Sequence, residues 1–324
     1  MLGHFCGITT KTLSQNNHII KKKQNNDIEK NNIKVYNKVG VFMKIVKKKK
    51  RIKWKNIFLI LIIIGSLITF VYSSYKIIYR MNQKRATDKL IDNINSLVEI
   101  KDNEGFDIEN IPSDFLDEEI VETEEKINYY YEYLKVPFIS VDFNNLKDIN
   151  NETVGWINVV GAGINYPYVQ TKDNSYYLTH SFDKTYNIGG WVFLDYRNKS
   201  NNSDKNTIIY AHGGINFAMF GPLKNLYTSK DWFNNKDNHY IKISTEEANL
   251  VYKVFSLYVI PTTSDYLYIN FDNLDSYQAF LDKIIKRSYY NFETEVNSNN
   301  RIITLSTCYN KKEKLVIHGK LIKE

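Results

Sequence analysis

The chain has 324 residues, 43% of them hydrophobic, enough to bury a sizeable core in one large folded domain. Its formal net charge of +7 is local: residues 1–56 hold 15 Lys/Arg against 2 Asp/Glu, and the rest holds 28 basic against 34 acidic residues. With no zinc-ligand spacing, recognition-helix pattern or basic–aromatic stripe, this distribution excludes a nucleic-acid-binding surface.

Residues 1–42 are polar, rich in Asn and Lys and without periodicity, as disordered segments are. Met43 opens a more ordinary membrane-anchor N-terminus, and translation is expected to start there; the other reading is a short cytoplasmic tail. Lys47 to Lys50, Arg51, Lys53 and Lys55 then precede an apolar run from Ile57 to Tyr75. Ser66, Thr69, Ser73 and Ser74 are its only polar residues. About 20 apolar residues cross a bilayer as a helix. Trp54, Tyr75 and Tyr79 stand near its ends, where aromatic belts form, and the positive-inside rule places the lysines in the cytoplasm. A cleaved signal peptide would have a shorter apolar segment and a small-x-small cleavage site.

Leu90, Ile91, Ile94, Leu97 and Val98 recur at spacings of three and four, a helical pattern over residues 81–100. An acidic stretch from Asp102 to Glu125 reads as a solvated linker leading into another short helix. The expected organisation is a cytoplasmic basic tail (1–56), a transmembrane signal anchor (57–78), a helical and acidic stalk (79–128) and a folded domain (129–324). That places the protein in the cell membrane, in contact with lipid, with its folded domain outside.

From about Ile127 the texture changes to strands. Residues 156–160, 165–169, 190–194, 207–210, 240–243 and 250–260 are short apolar or β-branched runs separated by turn residues. They predict a mainly β domain built as a closed or nearly closed barrel. One helix interrupts them at residues 274–287, with Tyr277, Phe280, Leu281, Ile284 and Ile285 on one face.

Near the C-terminus, Thr304-Leu305-Ser306-Thr307-Cys308 follows Ile302-Ile303 and precedes Leu315-Val316-Ile317. That reads as strand, short loop, strand, with a cysteine ending the first strand. The other cysteine, Cys6, lies at the far N-terminus. A cysteine alone is more often a small buried hydrophobe than a reactive thiol. A cysteine nucleophile needs an imidazole or a cation to support its ionisation, and acyl transfer needs an oxyanion donor. His4 and His18 fall in the N-terminal tail, His180 and His239 in polar loop contexts, and His318 inside the last strand. His212 differs, because it ends the strand through Tyr210-Ala211 and precedes Gly213-Gly214, a placement suited to a cleft rim.

The segment ending in Cys308 resembles the signature of the sortases, cysteine transpeptidases that attach proteins to the Gram-positive cell wall. The sortase histidine stands roughly one hundred residues before the cysteine, as His212 does here. Tyr210-Ala211-His212 and Met219-Phe220-Gly221-Pro222-Leu223 resemble the class B version. So do Val154-Gly155-Trp156-Ile157, Tyr176-Tyr177-Leu178 and Phe193-Leu194-Asp195-Tyr196-Arg197-Asn198. The 274–287 helix falls where class B enzymes insert one, and the resemblance covers about residues 130–324.

The resemblance implies an eight-stranded sortase β-barrel with N-terminal helices and one inserted helix, and no cofactor. Cys308 would attack the Thr carbonyl of a C-terminal sorting motif in a secreted protein, Asn-Pro-Gln-Thr-Asn-like or Leu-Pro-x-Thr-Gly-like. His212 would protonate the leaving amine, and an amine of a peptidoglycan precursor or of another protein would resolve the thioacyl-enzyme. Ser306, two residues before Cys308 on the same strand face, is a candidate substrate contact, as is Tyr266 in the loop 262–266.

One departure stands out. Sortases carry an arginine at the start of the last strand, and no arginine follows Arg301 here. Lys314 occupies the matching place, keeping the charge but losing the planar fork of donors. A non-enzymatic peptide-binding relative and a pilin-polymerising sortase are the competing readings; a papain-like hydrolase would place its cysteine before its histidine.

Overall fold

The computed structural model describes residues 53–98, 100–103, 136–213 and 219–324. The basic tail up to residue 52, the Met43 start and the short helix expected after the acidic stretch lie outside the described residues.

The first helix, α1 (Trp54–Leu97), runs unbroken for 44 residues. The apolar run and the pattern at 81–100 are therefore one helix. Its N-terminal part is long and apolar enough to cross a membrane, and its side chains there are exposed. The part from Tyr79 onward belongs to a compact unit that extends to Glu324. Within that unit Thr87 and Ile94 are buried, and Asn187 Nδ2 donates to Thr87 Oγ1 at 2.8 Å.

After α1, β1 (Ile100–Asn103) pairs antiparallel with β2 (Phe138–Val141). Then follow α2 (Asn144–Ile149), β3 (Thr153–Val159), β4 (Ile164–Val169), β5 (Phe193–Leu194) and β6 (Asn206–Tyr210). Two short helices, α3 (Leu223–Thr228) and α4 (Lys230–Asn234), lead to β7 (Tyr240–Ser244) and the long β8 (Asn249–Pro261). The inserted helix α5 (Leu274–Lys286) precedes β9 (Ile302–Cys308) and β10 (Glu313–Lys323). Strands β3 to β10 close into a barrel in the order β10-β8-β7-β3-β4-β5-β6-β9. Closure leaves no free edge among these eight strands.

The strands that carry the site are covered on both faces. Ile209, Ile303, Leu305, Leu315 and Ile317 pack into the barrel interior. Their sequence neighbours Ile208, Ile302 and Val316 face outward, into a second cluster made with Tyr277, Phe280, Leu281 and Ile284 of α5. The helix begins at a reciprocal cap: Ser276 N donates to Asn273 Oδ1, and Asn273 N donates to Ser276 Oγ.

A polar chain threads this outer cluster. Thr304 Oγ1 donates to Asn206 Oδ1 at 2.7 Å, so it must accept from His318 Nδ1, 2.9 Å away. His318 Nε2 then accepts from the Tyr258 hydroxyl at 2.9 Å. Burial, with a smaller contribution from the Arg287 charge, pushes the His318 imidazole down from 6.5 to about 3. The unfolded chain therefore binds a proton at His318 that the folded chain does not, and stability falls as pH drops below 6.5 toward 3. In His318→Gln that acid-side loss should be shallower, measured as urea midpoints across this pH range.

Candidate active site

Strand β9 lies between β6, to which it is parallel, and β10, to which it is antiparallel. The register sets Tyr210 beside Ser306 on one side and Lys314 beside Cys308 on the other. Beyond Tyr210 the two chains continue together, with Thr307 Oγ1 donating to the Ala211 carbonyl at 2.8 Å. One residue further, His212 comes alongside Cys308. His212, Cys308 and Lys314 thus line one cleft, flanked on three adjacent strands.

Two glycines make this approach possible. A Cβ on Gly213 would lie 2.3 Å from the Cys308 carbonyl oxygen and 2.5 Å from Thr307 Oγ1, so only glycine lets the chain leave β6 across the end of β9. Gly190 has φ +59°, and a Cβ there would meet the Tyr177 carbonyl at 2.3 Å. Trp191 N donates to that same carbonyl at 2.8 Å, seating the 3₁₀ turn Tyr176–Leu178 against residues 190–191. The turn presents the Leu178 carbonyl to His212.

His212 Nε2 donates to the Leu178 carbonyl at 2.8 Å. A carbonyl only accepts, so Nε2 carries a hydrogen, and in the neutral ring Nδ1 holds the free lone pair. Burial pushes the imidazole below its ordinary 6.5; the Leu178 carbonyl opposes this and the Lys314 charge adds to it. Lys314 Nζ stands 3.1 Å from Cys308 Sγ. Its side chain is largely buried, whereas Cys308 is half-buried and has no disulfide.

Ser306 and Tyr266 meet each other: their hydroxyls are 2.9 Å apart. Tyr266 lines the cleft with almost no accessible surface, being only 1% exposed. Burial raises the phenol to about 12. Leu178, Thr262, Thr263 and Leu267 also line the cleft.

None of the other described histidines lines this cleft. His180 stacks on Tyr176 at 4.0 Å. His239 is not in a polar setting, as its sequence neighbours implied, but buried among Trp232, Phe233 and Phe292. His318 is structural, and His4 and His18 lie outside the described residues. The Leu178 carbonyl and the close pass of Gly213 are parts of the site that the sequence did not single out. The glycine pair after His212 was the available signal for the second; a backbone acceptor leaves none.

A closed eight-stranded barrel with a cysteine ending its seventh strand, a histidine on one flank and a cation on the other defines a cysteine transpeptidase of the sortase type. The Sortase domain profile matches residues 157–322, and the chain belongs to that family. Within it, this is a class B sortase. It is 35% identical over 187 residues to Sortase B of Listeria monocytogenes, covering 56% of this chain and 74% of that protein. Sortase B of Staphylococcus aureus is 34% identical over 185 residues, covering 56% and 75%. Among solved structures, Bacillus anthracis sortase B matches with TM-score 0.52 and 36% identity, over 56% of this chain and 84% of its own. A Staphylococcus aureus sortase B–substrate complex matches with TM-score 0.52 and 30% identity, over 61% and 94%.

At neutral pH the His212 ring is expected to be uncharged in the free protein. Histidine-selective NMR should give it a titration midpoint below 6.5, with Nε2 as the protonated nitrogen of the neutral form.

Proposed function

We propose that the chain is a membrane-anchored transpeptidase that cleaves a C-terminal sorting motif of secreted proteins and joins them to an amine of peptidoglycan. The observation that carries this reading is the placing of His212, Cys308 and Lys314 in one open cleft. The apolar part of α1 supports an anchor, and the basic block before it supports an N-terminus in the cytoplasm and a catalytic domain outside.

Cys308 Sγ attacks the Thr carbonyl carbon of the motif, and its thiol proton passes to His212 Nδ1, the ring atom left open by the Leu178 contact. The carbonyl oxygen becomes an oxyanion close to Sγ, within reach of the Lys314 ammonium. Collapse breaks the C–N bond; the proton on His212 goes to the departing amine, and a thioacyl-enzyme remains. The acceptor amine then attacks the thioester and gives its proton to His212 Nδ1; the C–S bond breaks, the new amide leaves, and that proton returns to Cys308 Sγ beside Lys314, restoring the thiol and the neutral imidazole. Ser306 and Tyr266 act together as a paired hydroxyl floor beneath the bound peptide.

The test is incubation of the full-length chain in detergent with a panel of sorting-motif peptides, with and without an amine acceptor, reading products by mass. Cleavage at Thr, an amide product only with acceptor, and no turnover by Cys308→Ala are expected. Turnover by Cys308→Ala equal to wild type would overturn the assignment, and a loss in His212→Ala smaller than about 100-fold would remove His212 from the acid–base role.

Lys314 gives a separate prediction. Removing one oxyanion donor costs about 100- to 1000-fold in rate, so Lys314→Ala should lose that much. Lys314→Arg should retain or raise activity, and Lys311→Ala and Lys312→Ala should be nearly silent. Equal rates for wild type, Lys314→Ala and Lys314→Arg in the same peptide assay would assign the oxyanion to another donor.

A further inference from the structure

We propose that Arg287, at the C-terminal end of the inserted helix α5, is a positioning residue for peptide recognition, acting through Asp265 on the cleft wall. The inference rests on the reading of the cleft as the sorting-motif site.

Four of the cleft-lining residues, Thr262, Thr263, Tyr266 and Leu267, come from one stretch between β8 and α5. That stretch has no regular structure, so its shape depends on tethers. At its start, Thr262 donates through both N and Oγ1 to the Lys312 carbonyl, at 2.9 and 3.1 Å. At its end, Arg197 Nη2 donates to the Leu267 carbonyl at 3.2 Å. Between these, the turn at Asp265 and Tyr266 is held by α5. Arg287 Nη1 and Nη2 grip the two Asp265 carboxylate oxygens at 3.1 and 2.6 Å, a bidentate fork. Lys283 Nζ, one helical turn earlier, donates to the Asp265 carbonyl at 2.9 Å.

The fork is itself oriented. The Arg287 guanidinium lies 5.8 Å from the centre of the Tyr258 ring, and Tyr258 is fixed by its bond to buried His318. A further anchor of this turn runs inward, from the Tyr266 hydroxyl to Ser306, two residues before Cys308. Asp265 therefore points away from the cleft and Tyr266 toward it, and the helix sets which way the turn faces. Without the fork, Thr262 keeps its bonds to Lys312, Tyr266 its hydroxyl contact and Asp265 its carbonyl bond from Lys283, but the Asp265 carboxylate, to which Thr263 is bonded, loses the contact that orients it, and the middle of the wall loosens. The contacts of His212 with the Leu178 carbonyl and of Lys314 with Cys308 Sγ do not run through the Arg287–Asp265 fork, so the chemical step is spared.

This separation makes the role testable. Arg287→Gln should raise KM for the cleaved peptide by about ten- to a hundredfold with kcat within about twofold of wild type. Arg287→Lys, which keeps the charge but not the fork, should lie between. Hydrogen exchange of the full-length chain in detergent should accelerate at the amides of residues 262–267 in Arg287→Gln and Asp265→Asn, with β9 and β10 unchanged. An unchanged KM, a fall in kcat alone, or unchanged exchange at 262–267 would overturn the proposal. If Arg287→Gln does not fold, Asp265→Asn and Arg287→Lys carry the same kinetic comparison. If wild type cleaves no peptide in the panel, the sorting-motif reading fails instead, and unchanged loop exchange would still overturn the clamp.

Discussion

The pairing of β9 with its two neighbours is the constraint on which the site depends, and it tolerates no slip. Side chains alternate along a strand, so moving β9 by one residue would turn Cys308 into the barrel and Thr307 out of it. The hydrophobic pattern resists this only partly, because both faces of the strand are buried and both accept apolar residues. The polar residues supply the missing specification. Thr304 must meet His318 and Asn206, Thr307 must meet the Ala211 carbonyl, and Ser306 must meet Tyr266. A slip would strand several buried donors and acceptors at once, each costing about 1–3 kcal/mol. The buried hydroxyls of the Thr-Leu-Ser-Thr-Cys segment thus serve as register marks for Cys308.

The same two-sided burial explains where the cysteine can react. Along β9 every residue from Ile302 to Thr307 is buried, and Cys308 is the first that is not. The outer cover of α5 and the segment after β8 ends there, and the cleft begins. The thiol is consequently reached from solvent while its strand is anchored in two cores. The histidine is supported in a comparable way, with a buried ring and one nitrogen committed to a backbone carbonyl. The second core is therefore more than an addition to stability: it sets where the outer face of the barrel is open.

Much of this was legible in the sequence, and the limits have physical causes. Each apolar run from residue 156 onward is a barrel strand, and four of the five residues expected on one face of the inserted helix, Tyr277, Phe280, Leu281 and Ile284, form the buried face of α5, whereas the fifth, Ile285, is exposed at the edge of that face. Local periodicity carried those readings. His212 and Cys308 were found because a strand end followed by glycine, and a strand ending in cysteine, are local patterns. His239 departs from its expected polar setting because its polar neighbours in sequence are not its neighbours in space, where Trp232, Phe233 and Phe292 surround it. The Leu178 acceptor could not be read at all, since every residue has a carbonyl and only the fold selects one. The continuity of α1 was likewise hidden, because a change from apolar to amphipathic composition marks a change of environment, not a break in the helix.

Position, not composition, is what distinguishes Lys314 in a chain so rich in lysine. The turn before β10 is tight: Tyr309 and Asn310 donate through their backbone N–H to the Glu313 carbonyl, at 2.9 and 3.3 Å. Lys311 and Lys312 fall on the tip of that turn and are exposed. Lys314 is the first residue of β10 to pair with β9, directly opposite Cys308, and directly paired residues in a sheet share a face. Its head group must therefore stand over the thiol. An arginine at that place would offer a planar fork able to hold sulfur and a substrate oxygen together. The ammonium is a compact charge on a flexible stem, with three donors and no preferred plane. In the role proposed for it, that ammonium would follow the negative charge from Sγ to the oxyanion by rotating about its own stem, where a fork would bridge both positions at once. In that role, a lysine where the resemblance implies an arginine would trade fixed geometry for reach, and the tight turn, by anchoring the lysine backbone, would limit how much geometry is lost.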